Sequence, residues 1–267
     1  PIPGEALIAL QRVARAGANT QARRAAHSYT AQPGGSPFNV AIGLARLGHD
    51  TRFVGRLAQD ALGGILRRHA EQSGVSLGAA GTWPGPTPAA LFDLGPDGSA
   101  RYEFHLGDPR ESLFAAPDAV GIEVDAVHFG SIAAWLPGSA EPVLETVARL
   151  REGGAFVSYD PNVRAPLVAD PVQAWRDLES LAGRAHLVKL SDQDVEGLHP
   201  GADPEDIPRS LLQGERTEIV LLTRGGEGAV GFVGDLVVRV TAARVEVVEP
   251  VRAGGPPTAG PRAGSSP

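Results

Sequence analysis

Residues 33–48 read Pro-Gly-Gly-Ser-Pro-Phe-Asn-Val-Ala-Ile-Gly-Leu-Ala-Arg-Leu-Gly, a glycine-rich turn followed by a helical pattern. Gly34 and Gly35 allow backbone angles closed to other residues and let a ligand approach the main chain. The helix that follows directs its first unpaired N–H groups to the same place. Asn39 adds an amide that can both donate to and accept from a hydroxyl group. The stretch predicts a hydroxyl-binding turn, and its ordinary alternative is a plain loop before a core helix.

The helix after this turn has its own apolar pattern. Val40, Leu44 and Leu47 are spaced at i, i+4 and i+7, which predicts that they form its buried face. Gly48 follows directly and is the expected C-terminal cap, because glycine tolerates the left-handed conformation in which many helices end. We therefore expect a helix that packs against a core and ends near residue 48.

Short apolar segments alternate with helical patterns along much of the chain. Predicted strands span residues 4–10, 51–55, 126–129, 155–159, 186–190, 219–222 and 245–248, with a hairpin-like pair over 229–240. Predicted helices include one capped by Asp60 and ending at Gly74, then helices near 141–150, 172–181, up to 198, and 204–212. This alternation is typical of an α/β fold with an open, mostly parallel sheet flanked by helices. Residues 4–10, largely apolar, are expected to be the first central strand.

Residues 88–105 break the alternation. Two β-prone segments flank Gly-Pro-Asp-Gly, which is a hairpin signal, and we expect an antiparallel flap here. Residues 11–32 have no clear period. They form either an irregular excursion or the start of a small accessory layer.

The composition limits the classes of function. The 267 residues, 42% of them hydrophobic, can bury a sizeable core. The formal net charge is −7 and the basic residues are scattered, so we expect neither a nucleic-acid partner nor a membrane partner. The sequence contains no cysteine, which excludes disulfides and thiol catalysis. Without a long apolar run or a signal-peptide pattern, a cytoplasmic enzyme is expected.

Polar clusters follow four of the predicted strands. They are Gly130-Ser131, Asp160 to Arg164, Lys189 to Asp194, and Thr223 to Gly226. In an open parallel sheet, ligands bind outside the carboxyl ends of the strands, so these clusters predict a binding site.

The residue types in these clusters suit phosphoryl transfer. Arg164 and Lys189 can bind phosphate. The remaining groups suit a hydrated Mg²⁺ ion or close approach of a nucleotide to the backbone, namely Asp160, Asp194, Thr223 and Gly225. Each feature has a structural alternative: Asp160-Pro161 can be a turn, Asp194 a charge at a helix N-terminus, and His128 a core side chain.

These motifs, in this order, resemble the PfkB-type carbohydrate kinases of the ribokinase-like fold. The likeness is carried by the Gly-Gly-Ser-Pro-Phe-Asn-Val-Ala turn with Leu47-Gly48, a lid-like hairpin at 88–104, the phosphate-side loop 159–164, and the nucleotide loop 223–228. Residues 189–194 resemble the family's Asn-x-x-Glu region, with Ser191 and Asp194 at those two positions. The resemblance covers about residues 4–248 and is closest in style to fructokinases and ketodeoxygluconate kinases.

The resemblance implies an ATP-dependent sugar kinase that uses Mg²⁺. Substrate-binding residues would be Gly34, Gly35, Asn39, Phe104 and Arg164. ATP-binding residues would be Asn162, Lys189, Ser191, Thr223, Gly225 and Gly228, with Asp194 near the metal. One α/β domain over residues 1–248 is expected, with a β lid from about 11–33 and 81–107 through which a homodimer could form.

Two departures from the family pattern bear on activity. Ala9 stands where the family has a sugar-binding aspartate. Gly255 stands at the position of the catalytic base, and Arg252, Ala253 and Gly254 stand at the anion hole. The resemblance implies further helices after this signature, and residues 249–267, dense in Pro and Gly, are instead expected to be a disordered tail. The expected kinase activity is therefore low.

Three other functions stay open from the sequence. The chain could be a non-catalytic sugar- or nucleotide-binding protein, or a fragment that does not fold stably. A nicotinamide-binding enzyme is a weaker alternative, because no Gly-x-Gly-x-x-Gly with a following acidic residue closes the first strand–helix unit.

Overall fold

The computed structural model describes residues 1–13, 28–94, 100–114, 123–212 and 217–243. Its strands are β1 (Ile2–Pro3), β2 (Leu7–Val13), β3 (Ser28–Gly34), β4 (Phe53–Val54), β5 (Arg56–Ala58), β6 (Gly81–Trp83), β7 (Ala89–Leu94), β8 (Ala100–His105), β9 (Ala126–Gly130), β10 (Phe156–Asp160), β11 (Leu187–Ser191), β12 (Ile219–Thr223), β13 (Ala229–Val233) and β14 (Leu236–Val240). Its α-helices are α1 (Ser36–Arg46), α2 (Ala61–Gln72), α3 (Pro109–Ser112), α4 (Ser131–Trp135), α5 (Ala140–Glu152), α6 (Pro171–Ala182), α7 (Asp192–Leu198) and α8 (Asp206–Leu212).

The main sheet has six strands in the order β14-β13-β12-β11-β10-β9. Strands β9 to β12 run parallel, and β13 and β14 continue the sheet as an antiparallel hairpin. The parallel strands alternate with helices along the chain, which is the predicted arrangement. The fold class expected from the sequence, an open and mostly parallel α/β sheet, is confirmed.

The two faces of the main sheet differ in burial. Tyr159, Val188 and Val220, which pair across β10 to β12, are at most 1% exposed and belong to the larger apolar core. Side chains one residue along each strand point to the opposite face. On that opposite face Leu221 is 36% exposed, and the hairpin adds Val233, Leu236, Val238 and Val240, which are 44 to 62% exposed.

A second sheet has four strands in the order β3-β2-β7-β8. Strand β2 pairs antiparallel with β3 and parallel with β7, and β7 pairs antiparallel with β8. The hairpin predicted at 88–105 is therefore present. Residues 28–34 belong to this accessory layer, while residues 14–27 lie outside the described part of the chain.

The prediction that residues 4–10 form the first central strand is wrong. Ile2–Pro3 pairs with Phe53–Val54 beside the main sheet, where the N–H of His128 donates to the carbonyl of Pro1 (3.3 Å). Leu7–Val13 is instead a strand of the four-stranded sheet. Apolar continuity did not distinguish the two positions, because Leu7 and Ile8 are also buried, at 6% and 0% exposure.

The predicted inner face of α1 is also wrong. Leu47 is 76% exposed, and Val40 and Leu44 are only half-buried. The buried residues are Pro37, Phe38, Ala41 and Ile42, and the Phe38 ring meets Phe53 edge-on at 5.3 Å between centroids. The single large aromatic residue sets the rotation of the helix because it fills the most core volume.

Helix termini follow the sequence signals closely. The carboxylate of Asp60 accepts from the N–H of Gly63 (2.8 Å) at the start of α2. Gly48 and Gly74 have positive φ angles of 91° and 84° just after α1 and α2. Within the described residues, no helix is long and apolar enough to cross a membrane.

Candidate functional site

A cleft of about 320 Å³ lies between the glycine turn, the four-stranded sheet and the carboxyl edge of the main sheet. Its lining includes Gly34, Gly35, Asn39, Phe104, Asn162, Arg164 and Lys189. These are the five sugar-side residues and two of the ATP-side residues expected from the sequence. The fold therefore brings these residues to one place.

The glycine turn is held against the first segment of the chain. Gly35 has a φ of 102°, and a Cβ there would lie 2.5 Å from the carbonyl oxygen of Glu5. Backbone packing is thus sufficient to require glycine at this position, whether or not a ligand approaches it. The N–H of Asn39 donates to the Gly35 carbonyl (2.9 Å). Asn39 also lines the wall of the cleft.

An ion pair lies at the base of the cleft. Lys189 Nζ is 3.2 Å from Asp160 Oδ2, because the parallel pairing of β10 and β11 places the two side chains on adjacent strands. Burial raises the pKa of Asp160, and the neighbouring Lys189 charge opposes that shift. The lysine is therefore held in place by a carboxylate, close to where the sequence predicts phosphate binding.

Two residues beside this pair have unusual backbone angles. Asn162 and Ser131 have φ values of 42° and 57°, and Asn162 Nδ2 donates to Ser131 Oγ (3.3 Å). Gly130 packs so tightly on β10 that a Cβ would lie 1.9 Å from the Asp160 carbonyl oxygen. Non-glycine residues with positive φ cluster at functional sites, where the surrounding structure holds the strain.

Arg164 connects the main sheet to the four-stranded sheet. Its guanidinium lies over the ring of Tyr102, 5.7 Å from the centroid, and Tyr102 stacks on Phe104 at 5.9 Å. An arginine on an aromatic face gains from the negative potential of the ring. Arg164 therefore has a structural contact in addition to its predicted role with phosphate.

Glu5 is a site residue that the sequence analysis missed. It lines the cleft and is 1% exposed, and its Oε2 accepts from the N–H of Ala133 (3.2 Å). Burial raises the pKa of Glu5 to about 7, and hydrogen bonds from Ser131 and from the backbone of Ala133 and Ser36 only partly offset this. The available signal was a single carboxylate inside an otherwise apolar segment, Gly-Glu-Ala-Leu-Ile.

The remaining predicted ATP-side residues lie outside the cleft, near the carboxyl ends of β11 and β12. Thr223 Oγ1 donates to the Leu190 carbonyl (3.2 Å). Gly228 is required by packing, since a Cβ would lie 2.0 Å from the Val240 carbonyl oxygen. Gly225, with φ of 50°, has open space around it and is the position where a ligand could approach the backbone.

Asp194 has a structural role that accounts for its burial. Its carboxylate accepts from the N–H of Val163 (2.7 Å) and from the N–H and Oγ of Ser191 (2.8 and 2.6 Å). With Ser191 it forms the capping box of α7. The ordinary alternative considered for Asp194, a charge at a helix N-terminus, is therefore present.

The residues at this site suit the triphosphate of ATP and the Mg²⁺ ion to different degrees. For the triphosphate, Lys189 and Arg164 supply cations at one edge of the sheet, which suits phosphate. For the metal, the described residues contain no group of three or more His, Asp or Glu side chains that could hold an ion. Mg²⁺ commonly keeps its waters and is held by one or two carboxylates together with substrate phosphates.

The positions expected to form the base and the anion hole are not described. Gly255, Arg252, Ala253 and Gly254 lie outside the described residues, as do the predicted strand 245–248 and tail 249–267. The consequence of Gly255 for catalysis therefore stays a prediction.

Comparison with protein families and curated proteins points to one group. Residues 1–254 match the family model described as pfkB family carbohydrate kinase. A fructokinase of Rhizobium leguminosarum bv. trifolii is 30% identical over 223 residues, covering 83% of this chain and 68% of that protein. Probable fructokinase-6, chloroplastic, of Arabidopsis thaliana is 28% identical and covers 86% of this chain and 61% of that protein. The chain thus spans roughly two thirds of the length of these relatives.

Three solved kinase structures are similar to this chain in fold. The crystal structure of a fructokinase from Xylella fastidiosa matches with a TM-score of 0.76 and 26% identity, covering 92% of this chain and 76% of that chain. A fructokinase from the same organism with bound ATP matches at 0.73 and 25%, covering 90% and 76%. A putative ribokinase II from E. coli has a TM-score of 0.78 at 19% identity, covering 94% and 80%, which shows the fold alone.

Proposed function

The chain belongs to the pfkB family of carbohydrate kinases, and from this premise we propose that it binds a sugar or sugar acid and ATP for transfer of a phosphoryl group to a hydroxyl. The observation that carries the proposal is the 320 Å³ cleft, whose wall combines Asn39 with Asn162, Arg164 and Lys189. Amide side chains can pair with sugar hydroxyls, and the cations suit phosphate. Fructose and ketodeoxygluconate are the substrates we propose first.

The chain's own residues would divide the work in the following way. Asn39 and the glycine turn would orient the sugar, and the four-stranded sheet over the cleft would exclude water through Phe104. Arg164, Asn162 and Lys189 would hold phosphate oxygens, while Ser191, Thr223, Gly225 and Gly228 would border the nucleotide at the strand ends. ATP, when bound, would supply the phosphoryl group, and Mg²⁺, with Asp194 near it, would neutralise the charge of the phosphate oxygens.

We propose that transfer is slow in this chain. A positioned general base contributes about 10² to 10⁴ in rate, and a glycine at residue 255 cannot provide one. Arg252 and the prolines at 256 and 257 would also disturb N–H groups that should meet the transferring phosphoryl. The specific alternative supported by these residues is a protein that binds sugar or nucleotide without catalysis.

Calorimetry with fructose, followed by coupled ADP release, tests the proposal. Asn39→Ala is expected to weaken fructose binding about 2- to 10-fold, the loss of one hydrogen-bonding side chain. The control is Gln72→Ala, which removes a carboxamide from the exposed end of α2. No fructose or ketodeoxygluconate binding, or equal affinity in both variants, would contradict the assignment of the cleft.

The turnover number separates the kinase from the binding protein. We expect a value far below the roughly 1 to 100 s⁻¹ of typical kinases, with partial recovery in the double variant Arg252→Gly/Gly255→Asp. Binding with no turnover in either protein would favour the non-catalytic alternative. Turnover at ordinary rates in the wild type would show that Gly255 is not at the base position.

We also propose a homodimer formed through the four-stranded sheet. Tyr29 on its edge strand β3 is 48% exposed, which supports a contact there. Light scattering of the wild type and of Tyr29→Lys would test this, and equal masses at the monomer value would contradict it.

A cytoplasmic location is part of the proposal, because the reaction consumes ATP.

A further inference from the structure

The buried carboxylate of Glu5 is shared between the first turns of two helices that are far apart in the sequence. Its Oε2 accepts from the N–H of Ala133 in α4 (3.2 Å), and the carboxylate also accepts from the Ser131 hydroxyl and from the N–H of Ser36 at the start of α1. Helices leave their first N–H groups without a partner inside the helix. Each of these two helices is preceded by a glycine, which has no side chain to cap it. Glu5 therefore supplies a cap that the two glycines cannot provide.

The two helices lead to the two groups of residues that are expected to bind ligands. Helix α1 continues from the glycine turn and carries Asn39, the amide expected to contact the sugar. Helix α4 begins with Ser131, whose Oγ accepts from Nδ2 of Asn162, a residue expected on the ATP side (3.3 Å). A hydroxyl has a single hydrogen, so Ser131 donates it to Glu5 while it accepts from Asn162. Glu5 is thus connected to the sugar side through Ser36 and to the ATP side through Ser131.

The backbone at both connections depends on these contacts. Ser131 and Asn162 have positive φ angles, of 57° and 42°, which are unfavourable for residues other than glycine. Gly35, just before α1, has a φ of 102° and packs so closely that a Cβ would lie 2.5 Å from the Glu5 carbonyl oxygen. Local backbone preference alone does not hold these segments in place. Their positions therefore follow the contacts made by Glu5.

The groups around the Glu5 carboxylate favour its ionised form. An ionised carboxylate only accepts hydrogen bonds, whereas a protonated one carries an O–H that needs an acceptor of its own. The hydroxyl of Ser131 and the N–H groups of Ser36, Ala133 and Glu5 itself all donate to it. Protonation places another donor among them and weakens at least one of these hydrogen bonds. Because burial raises the pKa of Glu5 to about 7, both forms are populated near neutral pH.

We propose that Glu5 is a positioning residue for the cleft, whose ionised carboxylate holds the glycine turn and the Ser131–Asn162 pair in the arrangement that binds ligands. Protonation loosens this arrangement. The residue is 1% exposed, so its carboxylate acts through its neighbours and not by touching a ligand. The part of the inference that concerns sugar binding rests on the proposed function.

Other titratable groups near Glu5 define the controls that are needed. Besides Glu5, the titratable residues that line the described cleft are Tyr102, Asp160, Arg164 and Lys189. Helix α4 has no charged residue, and the charged residue of α1 is Arg46 in its last turn. His128, on the strand that leads into α4, has a pKa lowered to about 4 by burial and by Lys189. A pH dependence between 6 and 8 that persists in Glu5→Gln would come from one of these groups.

Nuclear magnetic resonance without any ligand tests the connection itself. The signals of the Ser36 N–H and of the Asn162 side-chain amide should shift together between pH 6 and 8, with one midpoint near 7. Glu5→Gln removes the titrating group and should abolish both shifts. Ser131→Ala removes the hydroxyl between Glu5 and Asn162 and should abolish the Asn162 shift while that of Ser36 remains. The control Glu71→Gln, at an exposed carboxylate on α2, should behave as the wild type.

Three results of this experiment would overturn the inference. The first is that either signal fails to titrate in the wild type. The second is that the shifts persist in Glu5→Gln. The third is that Ser131→Ala leaves the Asn162 shift unchanged. Urea unfolding of each variant reports whether it is folded, and the titration of the wild type needs no variant.

Calorimetry with fructose tests the consequence for binding, because fructose has no group that titrates between pH 6 and 8. The wild type should bind it about 2- to 10-fold more tightly at pH 8 than at pH 6, the range of one net hydrogen bond. Glutamine resembles the protonated carboxyl, so Glu5→Gln should bind at both pH values as the wild type does at pH 6. A loss of affinity in Glu5→Gln without a pH dependence in the wild type would show a structural role only and overturn the positioning role. Titrating signals without any fructose binding would instead contradict the proposed function and leave the connection from Glu5 to Asn162 supported.

Discussion

The two faces of the main sheet differ in what they do for the protein. One face, represented by Leu222 at 0% exposure, packs into the larger apolar core. The opposite face, represented by the preceding residue Leu221 at 36% exposure, carries Asp160 and Lys189 near the cleft and exposed valines on the hairpin β13–β14. The closed face stabilises the fold, and the open face holds the ion pair, in which the Lys189 charge partly offsets the cost of burying Asp160.

The largest effect is expected when two neighbouring leucines of β12, one on each face, are compared. Leu222→Ala should lower the free energy of unfolding by about 2 to 5 kcal/mol, because it leaves a cavity in a packed core. Leu221→Ala removes the same atoms from the open face and should cost less than about 1 kcal/mol. Urea unfolding of both variants measures the two values. Equal losses would mean that the open face is covered in solution.

The second test concerns two titrating groups, Glu5 in the cleft and His128 on β9, whose pKa values are shifted in opposite directions by burial. The pKa of Glu5 is raised from 4.5 to about 7 by burial, so the free energy of unfolding decreases as the pH rises from 4.5 to 7. The pKa of His128 is lowered from 6.5 to about 4 by burial and by Lys189, so stability is lost as the pH falls from 6.5 to 4. The two effects oppose each other between pH 4.5 and 6.5.

Replacing one of the two groups should therefore reveal the pH dependence of stability that the other group causes. In Glu5→Gln the free energy of unfolding should increase by about 3 kcal/mol between pH 4 and 6.5. Each unit by which the pKa of His128 is shifted corresponds to about 1.4 kcal/mol. In His128→Gln it should decrease between pH 4.5 and 7 by a similar amount. Urea unfolding across this range gives the profiles, and parallel curves for the wild type and both variants would contradict the opposing shifts.

A smaller effect is expected at the ion pair in the cleft. Lys189→Met keeps the length of the side chain but leaves the Asp160 carboxylate without its cation, at a cost of about 1 to 3 kcal/mol at neutral pH. Because the pKa of Asp160 is already raised by burial, the loss should shrink as the pH falls and the carboxyl becomes protonated. A loss independent of pH would show that the ion pair is not its cause.

The smallest change in stability is expected at the exposed valines. Val238→Thr, at a residue 48% exposed, should alter the free energy of unfolding by less than about 0.5 kcal/mol. It should nevertheless reduce self-association, because exposed apolar edge strands favour pairing with other chains. Light scattering across a concentration series measures this, with Val157→Thr on the closed face as a destabilising comparison. Unchanged association would assign the contact to another surface.

The sequence predicted most of the elements of the main sheet but not every role within them. Period and capping signals located α2 and the strands from β9 to β12, because both depend on neighbouring residues. The assignment of Leu7–Val13 failed because a buried strand has the same apolar pattern in either sheet. Glu5 was missed because its environment is made by segments more than a hundred residues away, such as the N–H of Ala133.

The first thirteen residues connect three parts of the molecule in one short run of chain. Ile2–Pro3 pairs with Phe53–Val54, Glu5 bonds to α4 at the floor of the cleft, and Leu7 begins the four-stranded sheet. Between Gly4, whose N–H donates to the Val54 carbonyl, and Leu7, which pairs with Gly34 in the four-stranded sheet, the chain has only Glu5 and Ala6. Glu5 and Ala6 are therefore one of the short connections between the four-stranded sheet and the rest of the molecule, and a movement of that sheet at this connection would displace the carboxylate of Glu5.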